Sequence, residues 1–228
     1  MSTSIGYSSE LYFIEPQDII KLKNTPQKVA AKIKCADDDV VVLLGDKKTN
    51  TFDTLVCGRN IAKKAISENT SHIPVRFVFI SNIAKWNILP IFFKQLRQYF
   101  KFESKVSYHT TLTHLRNLHI ERGFRNAENA YVISKKWNIG PEERVRKYNK
   151  LVNSLKKKGF DDKQPISIML NRRCGIKDCV DDGHHRIGIC AENNIERIAI
   201  RFRAAGTLPK FLQKFGLKFI NMFPKLPN

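Results

Sequence analysis

The pattern of apolar and polar positions along the chain predicts alternating strands and helices. Alternating or β-branched apolar residues predict strands in the first hundred residues at 11–14, 39–44, 51–57 and 74–80. Apolar spacing near 3.6 residues predicts helices at 60–68, 90–100 and 106–121, followed by a loop at 123–130. No internal repeat and no low-complexity linker is visible, so these residues read as one α+β region.

The pattern is sharper from Pro141 onward. Pro141 suits the first turn of a helix, where its missing N–H needs no partner. Glu142 and Glu143 follow in that turn, where the helix dipole favours acids. Gly159 ends the helix after a run of lysines.

Beyond this helix the pattern predicts an order of strand, strand, helix and strand, at 165–170, 176–181, 184–193 and 196–202. The predicted fold class is therefore α/β or α+β. We place a boundary near residue 130, which gives an N-terminal α+β region at 1–130, a C-terminal module at 131–207 and a tail at 208–228.

Charge changes this picture more than any other compositional property. The chain has 40 Lys and Arg against 21 Asp and Glu, a net charge of +19. Such an excess favours nucleic acid, anionic lipid or phosphorylated small molecules as partners, although it also serves solubility alone. Five cysteines without regular spacing argue against a disulfide framework and for a reducing compartment. With no signal peptide and no apolar run of about 18 residues, we expect a cytoplasmic protein.

The residues Asp182-Gly183-His184-His185-Arg186 form the motif with the clearest chemistry, and we call them the Gly183 turn. A glycine between a strand and a helix lets the backbone approach a ligand, and the helix start presents free N–H groups to an anion. Arg186 can bind two phosphate oxygens, the histidines add donors, and Asp182 can hold a metal ion. The alternative is structural: Asp182 caps the helix and His185 packs inside the protein.

The wider pattern resembles the ParB/sulfiredoxin-like superfamily. The matching pieces are Glu142-Glu143-Arg144, the helix end at 151–160, Gln164-Pro165-Ile166-Ser167-Ile168, the Gly183 turn with Ile187, and the strand after Asn194-Ile195-Glu196-Arg197. The resemblance leaves the N-terminal part of the chain unexplained. It implies a ParB-like nucleotide-binding module.

Three activities occur among the proteins that this module resembles. Sulfiredoxins carry a catalytic cysteine where this chain has His184, which argues against that activity. ParB partition proteins continue into a DNA-reading helix-turn-helix, for which residues 203–228 are too few, although lysines could still bind nucleic acid without sequence preference.

The third group, the free-serine kinases, has a similar Asp-Gly-His-His-Arg signature and a glutamate base at the upstream helix start. The resemblance therefore implies that Glu142 or Glu143 is the base, that Asp182 binds Mg²⁺ and that residues 183–186 bind the phosphates of ATP or ADP. The acceptor would be a small hydroxyl compound, serine-like or sugar-type, with a place in cell-surface polysaccharide biosynthesis. The alternative is a non-enzymatic, nucleotide-regulated module that binds nucleic acid or a protein.

Other candidate features have weaker signals. His109, His114 and His119 recur every five residues, which spreads them around a helix, so we expect surface or packing roles. Cys174 and Cys179 are too far apart for a Cys-x-x-Cys pair. The tail at 208–228 interleaves lysines with large apolar residues, so it either docks on the domain or lies on an anionic membrane surface at the inner face.

Overall fold

The computed structural model describes residues 4–33, 35, 39–46, 51–81, 101–117, 140–170 and 178–205. They form a mixed α+β structure with two sheets, one from each half of the chain. The predictions for 90–100, 123–130 and 208–228 lie outside these residues. Within the described parts of the chain, no helix is both long and apolar enough to cross a bilayer.

The first sheet is built from residues before 82. In chain order its half contains β1 (Ser4–Tyr7), β2 (Tyr12–Ile14), α1 (Pro16–Ile20), α2 (Gln27–Ala30), β3 (Val41–Asp46), β4 (Thr51–Cys57), α3 (Arg59–Ser67) and β5 (Ile73–Ser81). The strand order is β1-β5-β3-β4, and β2 pairs with the other end of β5. Only β3 and β5 run parallel; the remaining described pairs of this sheet are antiparallel.

The second sheet is built from residues after 100. Its half contains β6 (Lys101–Glu103), β7 (Tyr108–Thr111), α4 (Leu112–Asn117), α5 (Pro141–Lys158), β8 (Ile166–Leu170), β9 (Cys179–Asp182), α6 (His184–Glu192) and β10 (Arg197–Ala205). The strand order is β6-β10-β8-β9, with β7 on the other end of β10 and with β8 parallel to β10.

The two halves are copies of one arrangement, so the expectation of no internal repeat is wrong. From β3 to β5, the residues that the structure describes in both halves have counterparts 125 positions apart: Val41 pairs with Val75 in one sheet and Ile166 with Ile200 in the other. Backbone exceptions recur at the same shift. Gly58 and Gly183 have φ of 96° and 101°, and Asn69 and Asn194 have φ of 53° and 54°.

The strands that precede this part repeat with a shorter shift of 96 positions. Ser8 donates its N–H to the carbonyl of Phe77 and its hydroxyl to that of Glu10. Ser104 donates in the same way to Phe202 and Val106. The two shifts differ because the segment between β7 and β8 is longer than the segment between β2 and β3. The hydrogen-bond pattern on either side of these segments is the same in both halves.

Two buried aspartates join the halves by a reciprocal exchange of hydrogen bonds. Tyr12 of the first half donates to Asp178 of the second at 2.8 Å, and the N–H of Ser9 donates to the same oxygen at 3.0 Å. Tyr108 of the second half donates to Asp53 of the first at 2.9 Å, and the N–H of Val106 donates to its other oxygen at 3.0 Å. Each aspartate thus holds the loop and the tyrosine of the opposite half.

Aromatic rings fill the space between these two exchanges. Phe77 and Phe202, which are counterparts, stack with centroids 4.7 Å apart. Tyr12 meets Phe202 edge-on at 4.8 Å. Buried residues of both halves belong to one continuous apolar core. A smaller group, the second core cluster, lies apart from it and consists of Ile33, Val42, Leu44, Val78 and Ile80.

The local sequence signals place most elements correctly. The helix predicted from Pro141, the strand at 165–170 and the helix after Gly183 are confirmed with small shifts of their ends. The helix predicted at 106–121 is wrong at its start because Tyr108–Thr111 is a strand on β10, with Tyr108 and Thr110 buried. The second sheet also begins at Lys101, which lies before the boundary expected near residue 130.

We predict that Tyr12→Phe and Tyr108→Phe each lower the free energy of unfolding by about 1–3 kcal/mol, because each leaves a buried carboxylate without its hydroxyl donor. Burial and the nearby Asp53 raise the pKa of Tyr108 well above its usual range, so its hydroxyl stays a donor. Urea unfolding measures the change. Tyr7→Phe is the control because the Tyr7 hydroxyl has no hydrogen bond among the described residues. If all three substitutions lowered the free energy of unfolding equally, the tyrosine–aspartate hydrogen bonds would not be what joins the halves.

Candidate functional site

The Gly183 turn follows directly from the packing of two neighbouring strands. β9 ends at Asp182, and Gly183 caps the start of α6 with a φ of 101°. A Cβ at this position would lie 3.0 Å from Cγ1 and 3.3 Å from Cα of Ile166 on β8. Glycine is needed both for the positive φ and for this close approach. It has no side chain to cap the first N–H groups of α6, so they remain suited to a ligand.

Arg186 lies behind the turn and is largely buried. Its side chain is 15% exposed, and its Nη2 lies 3.5 Å from Oδ2 of Asp182. The guanidinium lies 5.9 Å from the ring centroid of Phe160. Its Nη1 is buried and has no hydrogen-bond partner among the described residues. Burial lowers the pKa of Arg186, the expected response of a cation that has lost water without gaining a full set of acceptors.

The other predicted residues of this turn lie around Arg186. The side chain of Asp182 is 66% exposed, so its carboxylate can reach a ligand or a metal ion. His184 is exposed at the first position of α6, and His185 is half-buried. The turn therefore combines a helix start, an arginine and an accessible carboxylate, which is a chemistry suited to a phosphate group with a divalent cation.

The structure does not bring Glu142 or Glu143 to this turn. Phe160, just beyond the C-terminal end of α5, contacts Arg186 near the start of α6. Tyr148, nearer the start of α5, donates a hydrogen bond to Glu192 at the end of α6. The two helices therefore run antiparallel. An 18-residue helix is about 27 Å long, so the first turn of α5 lies far from the Gly183 turn.

The surroundings of the two glutamates fit an exposed helix start. Glu142 is exposed, and Glu143 pairs with Arg146 at 2.6 Å and with Lys147 at 3.9 Å. The hydrogen bond from Arg146 lowers the pKa of Glu143. A general base at neutral pH is served by a raised carboxyl pKa instead.

The equivalent turn of the first half, the Gly58 turn (Cys57–Ile61), carries different residues. Ile61 stands where Arg186 stands in the second half. Arg59 takes the place of His184, and it donates to the carbonyls of Ile20 at 3.0 Å and Leu22 at 2.6 Å. The first half thus repeats the backbone of the turn without the carboxylate, the two histidines and the arginine of the Gly183 turn.

The Gly58 turn also contains a disulfide, a pairing that the irregular spacing of the five cysteines did not indicate. Cys57 is bonded to Cys35, with their Cα atoms 6.6 Å apart. The fold places the segment after α2 beside the end of β4, and a separation of 22 positions in the sequence gave no sign of this. Cys190, by contrast, is a free and buried thiol.

Sequence reasoning missed a charged cluster where the halves meet. His109 Nδ1 lies 2.9 Å from Asp18, and its Nε2 lies 2.9 Å from Asp162. Arg197 pairs with Glu15 at 2.7 Å and lies 4.0 Å from Asp162. The ligand atoms of Glu15, Asp18 and His109 lie within 4.8 Å of one another, a spacing that could also hold a metal ion. These residues come from four different places in the sequence, so no single motif joins them.

The carboxylates of Asp18 and Asp162, which face the two ring nitrogens of His109, raise the pKa of this histidine. The bond with Asp18 raises the pKa of His109 despite its partial burial, and Asp162 raises it further. Burial opposes ionisation of Asp18, but its bonds with His109 outweigh this and lower its pKa.

Comparison of the chain with family models, with curated proteins and with solved structures finds no match.

We predict that His109 stabilises the protein most at acidic pH. Its pKa is raised in the folded state, so its contribution is fully present below the unfolded value of about 6.5 and is lost as pH rises through the folded pKa. The difference in unfolding free energy between the wild type and His109→Gln should therefore shrink from pH 5.5 to pH 9. His184→Gln, at an exposed position, is the control. A difference that stays constant with pH would show that folding does not shift the pKa of His109.

Proposed function

We propose that the Gly183 turn binds a phosphate group and that the ligand is a nucleotide. The proposal of a phosphate rests on Arg186, whose buried Nη1 has no partner among the described residues and lies beside an uncapped helix start. A buried guanidinium is costly without acceptors, and a phosphate supplies several at once. The proposal of a nucleotide rests on the resemblance of residues 141–202 to ParB/sulfiredoxin-like proteins.

The charges around the turn favour an anion that arrives with a divalent cation. Lys156, Lys157 and Lys158 end α5 on the side of Phe160, and all three are exposed. Asp182 and Asp161 lie close enough to Arg186 to affect its pKa. A free phosphate would meet these carboxylates, whereas Mg²⁺ can bridge Asp182 and the phosphate oxygens. ATP or ADP with Mg²⁺ therefore fits the turn better than a bare anion.

We predict that Arg186→Ala weakens nucleotide binding by about 10- to 150-fold, the value of a charge-assisted hydrogen bond of roughly 1.5–3 kcal/mol. Calorimetric titration with ATP, ADP and CTP, each with and without Mg²⁺, measures this. Arg146→Ala is the matched control because it removes the same charge from an exposed site on α5. Far-UV circular dichroism confirms that the variants are folded. Equal affinity of the wild type and Arg186→Ala would remove the phosphate site.

Phosphotransfer to a small hydroxyl compound is the second candidate function. The observation in its favour is the exposed carboxylate of Asp182 within 3.5 Å of Arg186, where it can orient a metal ion beside a bound phosphate. Of the three acidic residues that the sequence suggested, Asp182 lies at the turn, and Glu142 and Glu143 lie at the far end of α5. A kinase built on this turn would depend on Asp182 and on positioning more than on a base at the helix start.

We predict that Asp182→Asn lowers any phosphotransfer at least tenfold, while Glu142→Gln and Glu143→Gln stay within about twofold of the wild type. The expectation follows from the loss of a metal ligand in the first case and from distance in the others. Labelled nucleotide with serine and with sugars as acceptors gives the rates. A loss in one glutamate variant alone would restore the base at the helix start. Nucleotide binding without transfer to any acceptor would favour a nucleotide-regulated switch.

A further inference from the structure

The Cys35–Cys57 disulfide lies at the surface, beside the second core cluster, against which Cys57 packs. Cys35 is exposed and Cys57 is half-buried. Cys57 is the last residue of β4 and immediately precedes Gly58, so it stands where Asp182 stands in the second half. Both cysteines line a cavity of about 530 Å³, together with Gly58, Arg59 and Asn60. A small molecule can therefore reach the sulfur atoms without unfolding the protein.

Cys57 lies one residue before the cap of α3 and lines the same cavity as Arg59. α3 begins at Arg59 and is nine residues long, and its cap, Gly58, has no side chain to occupy the first N–H groups. The positive end of a helix stabilises a neighbouring thiolate. The guanidinium of Arg59 adds a fixed positive charge, held by the carbonyls of Ile20 and Leu22.

Cys190 gives a contrast within the same chain. Burial raises its pKa to about 11, although the nearby Arg186 works in the opposite direction. Cys190 therefore remains an unreactive thiol at neutral pH. Among the cysteines whose side chains the structure describes, the accessible pair is bonded and the buried Cys190 is not a substitute for either.

We propose that Cys35 and Cys57 form a thiol–disulfide exchange site for low-molecular-weight thiols. The thiolate of such a molecule attacks the exposed sulfur of Cys35, a new S–S bond forms there, and Cys57 leaves as a thiolate at the start of α3. A second thiolate attacks the external sulfur of the mixed disulfide and releases Cys35 as a thiolate. Two external thiols are oxidised to one disulfide, and the protein disulfide is reduced by the same two electrons.

Exchange at this site changes how one segment is held on the first sheet. The disulfide attaches the segment after α2 to the end of β4. Ile33 of that segment belongs to the second core cluster with Val42 and Leu44, and Val29 of α2 packs against the same cluster. Reduction leaves this packing without its covalent link. Hydrogen exchange at residues 27–33 should therefore become faster in the reduced protein, while exchange in α6 stays the same.

The test uses the full-length protein equilibrated with mixtures of reduced and oxidised glutathione. After acid quenching and alkylation, mass spectrometry of peptides reports the state of each cysteine. We expect Cys35 and Cys57 to convert together within the range of these mixtures, while Cys190 stays a thiol. In Cys57→Ser, oxidised glutathione should leave one adduct on Cys35. In Cys35→Ser, Cys57 should react with iodoacetamide at least tenfold faster than Cys190 in the same molecule.

Two results would overturn the proposal. A Cys35–Cys57 link that persists in the native protein under excess reduced glutathione, and that opens only in denaturant, would be a structural crosslink. An air-oxidised protein without this link would show that the two cysteines do not pair. Neither result depends on the ligand of the Gly183 turn. A failure of the disulfide-exchange proposal can therefore be distinguished from a failure of the phosphate-site proposal. Circular dichroism of both serine variants excludes misfolding as the cause of altered reactivity.

Discussion

The buried carboxylates of Asp53 and Asp178 accept the hydrogen bonds that join the two halves. The positions of the Gly58 turn and the Gly183 turn depend on these bonds. Each aspartate accepts hydrogen bonds from a tyrosine and a loop of the opposite half, so neither sheet is satisfied by itself. Asp178 directly precedes β9, the strand that ends at the Gly183 turn. Asp53 lies in β4, the strand that ends at the Gly58 turn. An unpaired carboxylate at either place would carry a full desolvation penalty, which ties the geometry of each turn to the partner half.

The sequence predicts the local elements well because their signals are local. Pro141 and Gly159 bound α5, and Gly183 bounds α6. The repeat is hard to recognise in the sequence because residues are identical only where the backbone or the interface requires one particular residue. At the other positions the two halves share only the pattern of burial. The retained pairs of the 125-residue shift are Asp53 and Asp178, Gly58 and Gly183, Asn69 and Asn194, Ile73 and Ile198, Arg76 and Arg201, and Phe77 and Phe202. Apart from the adjacent Arg76 and Phe77, the identical positions are scattered among unlike residues, so the apolar pattern alone indicates two unrelated α+β regions.

From the sequence, the residues of the candidate site could be predicted only within the Gly183 turn. The turn from Asp182 to Arg186 is contiguous, so its chemistry can be inferred without the fold. The position of Glu142 and Glu143 depends on the direction in which α5 crosses α6, and apolar periodicity does not contain that direction. The cluster around His109 and the pairing of Cys35 with Cys57 depend on contacts between distant segments. A sequence can supply such residues, but only the topology brings them together.

Covalent linkage of the two halves has a consequence for how the turns can differ. In a symmetric pair of separate identical chains, every substitution appears at both equivalent sites, so the two sites stay alike. In a single chain the counterparts are encoded separately, and Cys57 can occupy one turn while Asp182 occupies the other. The interface between the halves also cannot dissociate on dilution, in contrast to a dimer whose stability depends on concentration. One scaffold can therefore keep a sulfur pair on one side and an arginine on the other at any protein concentration.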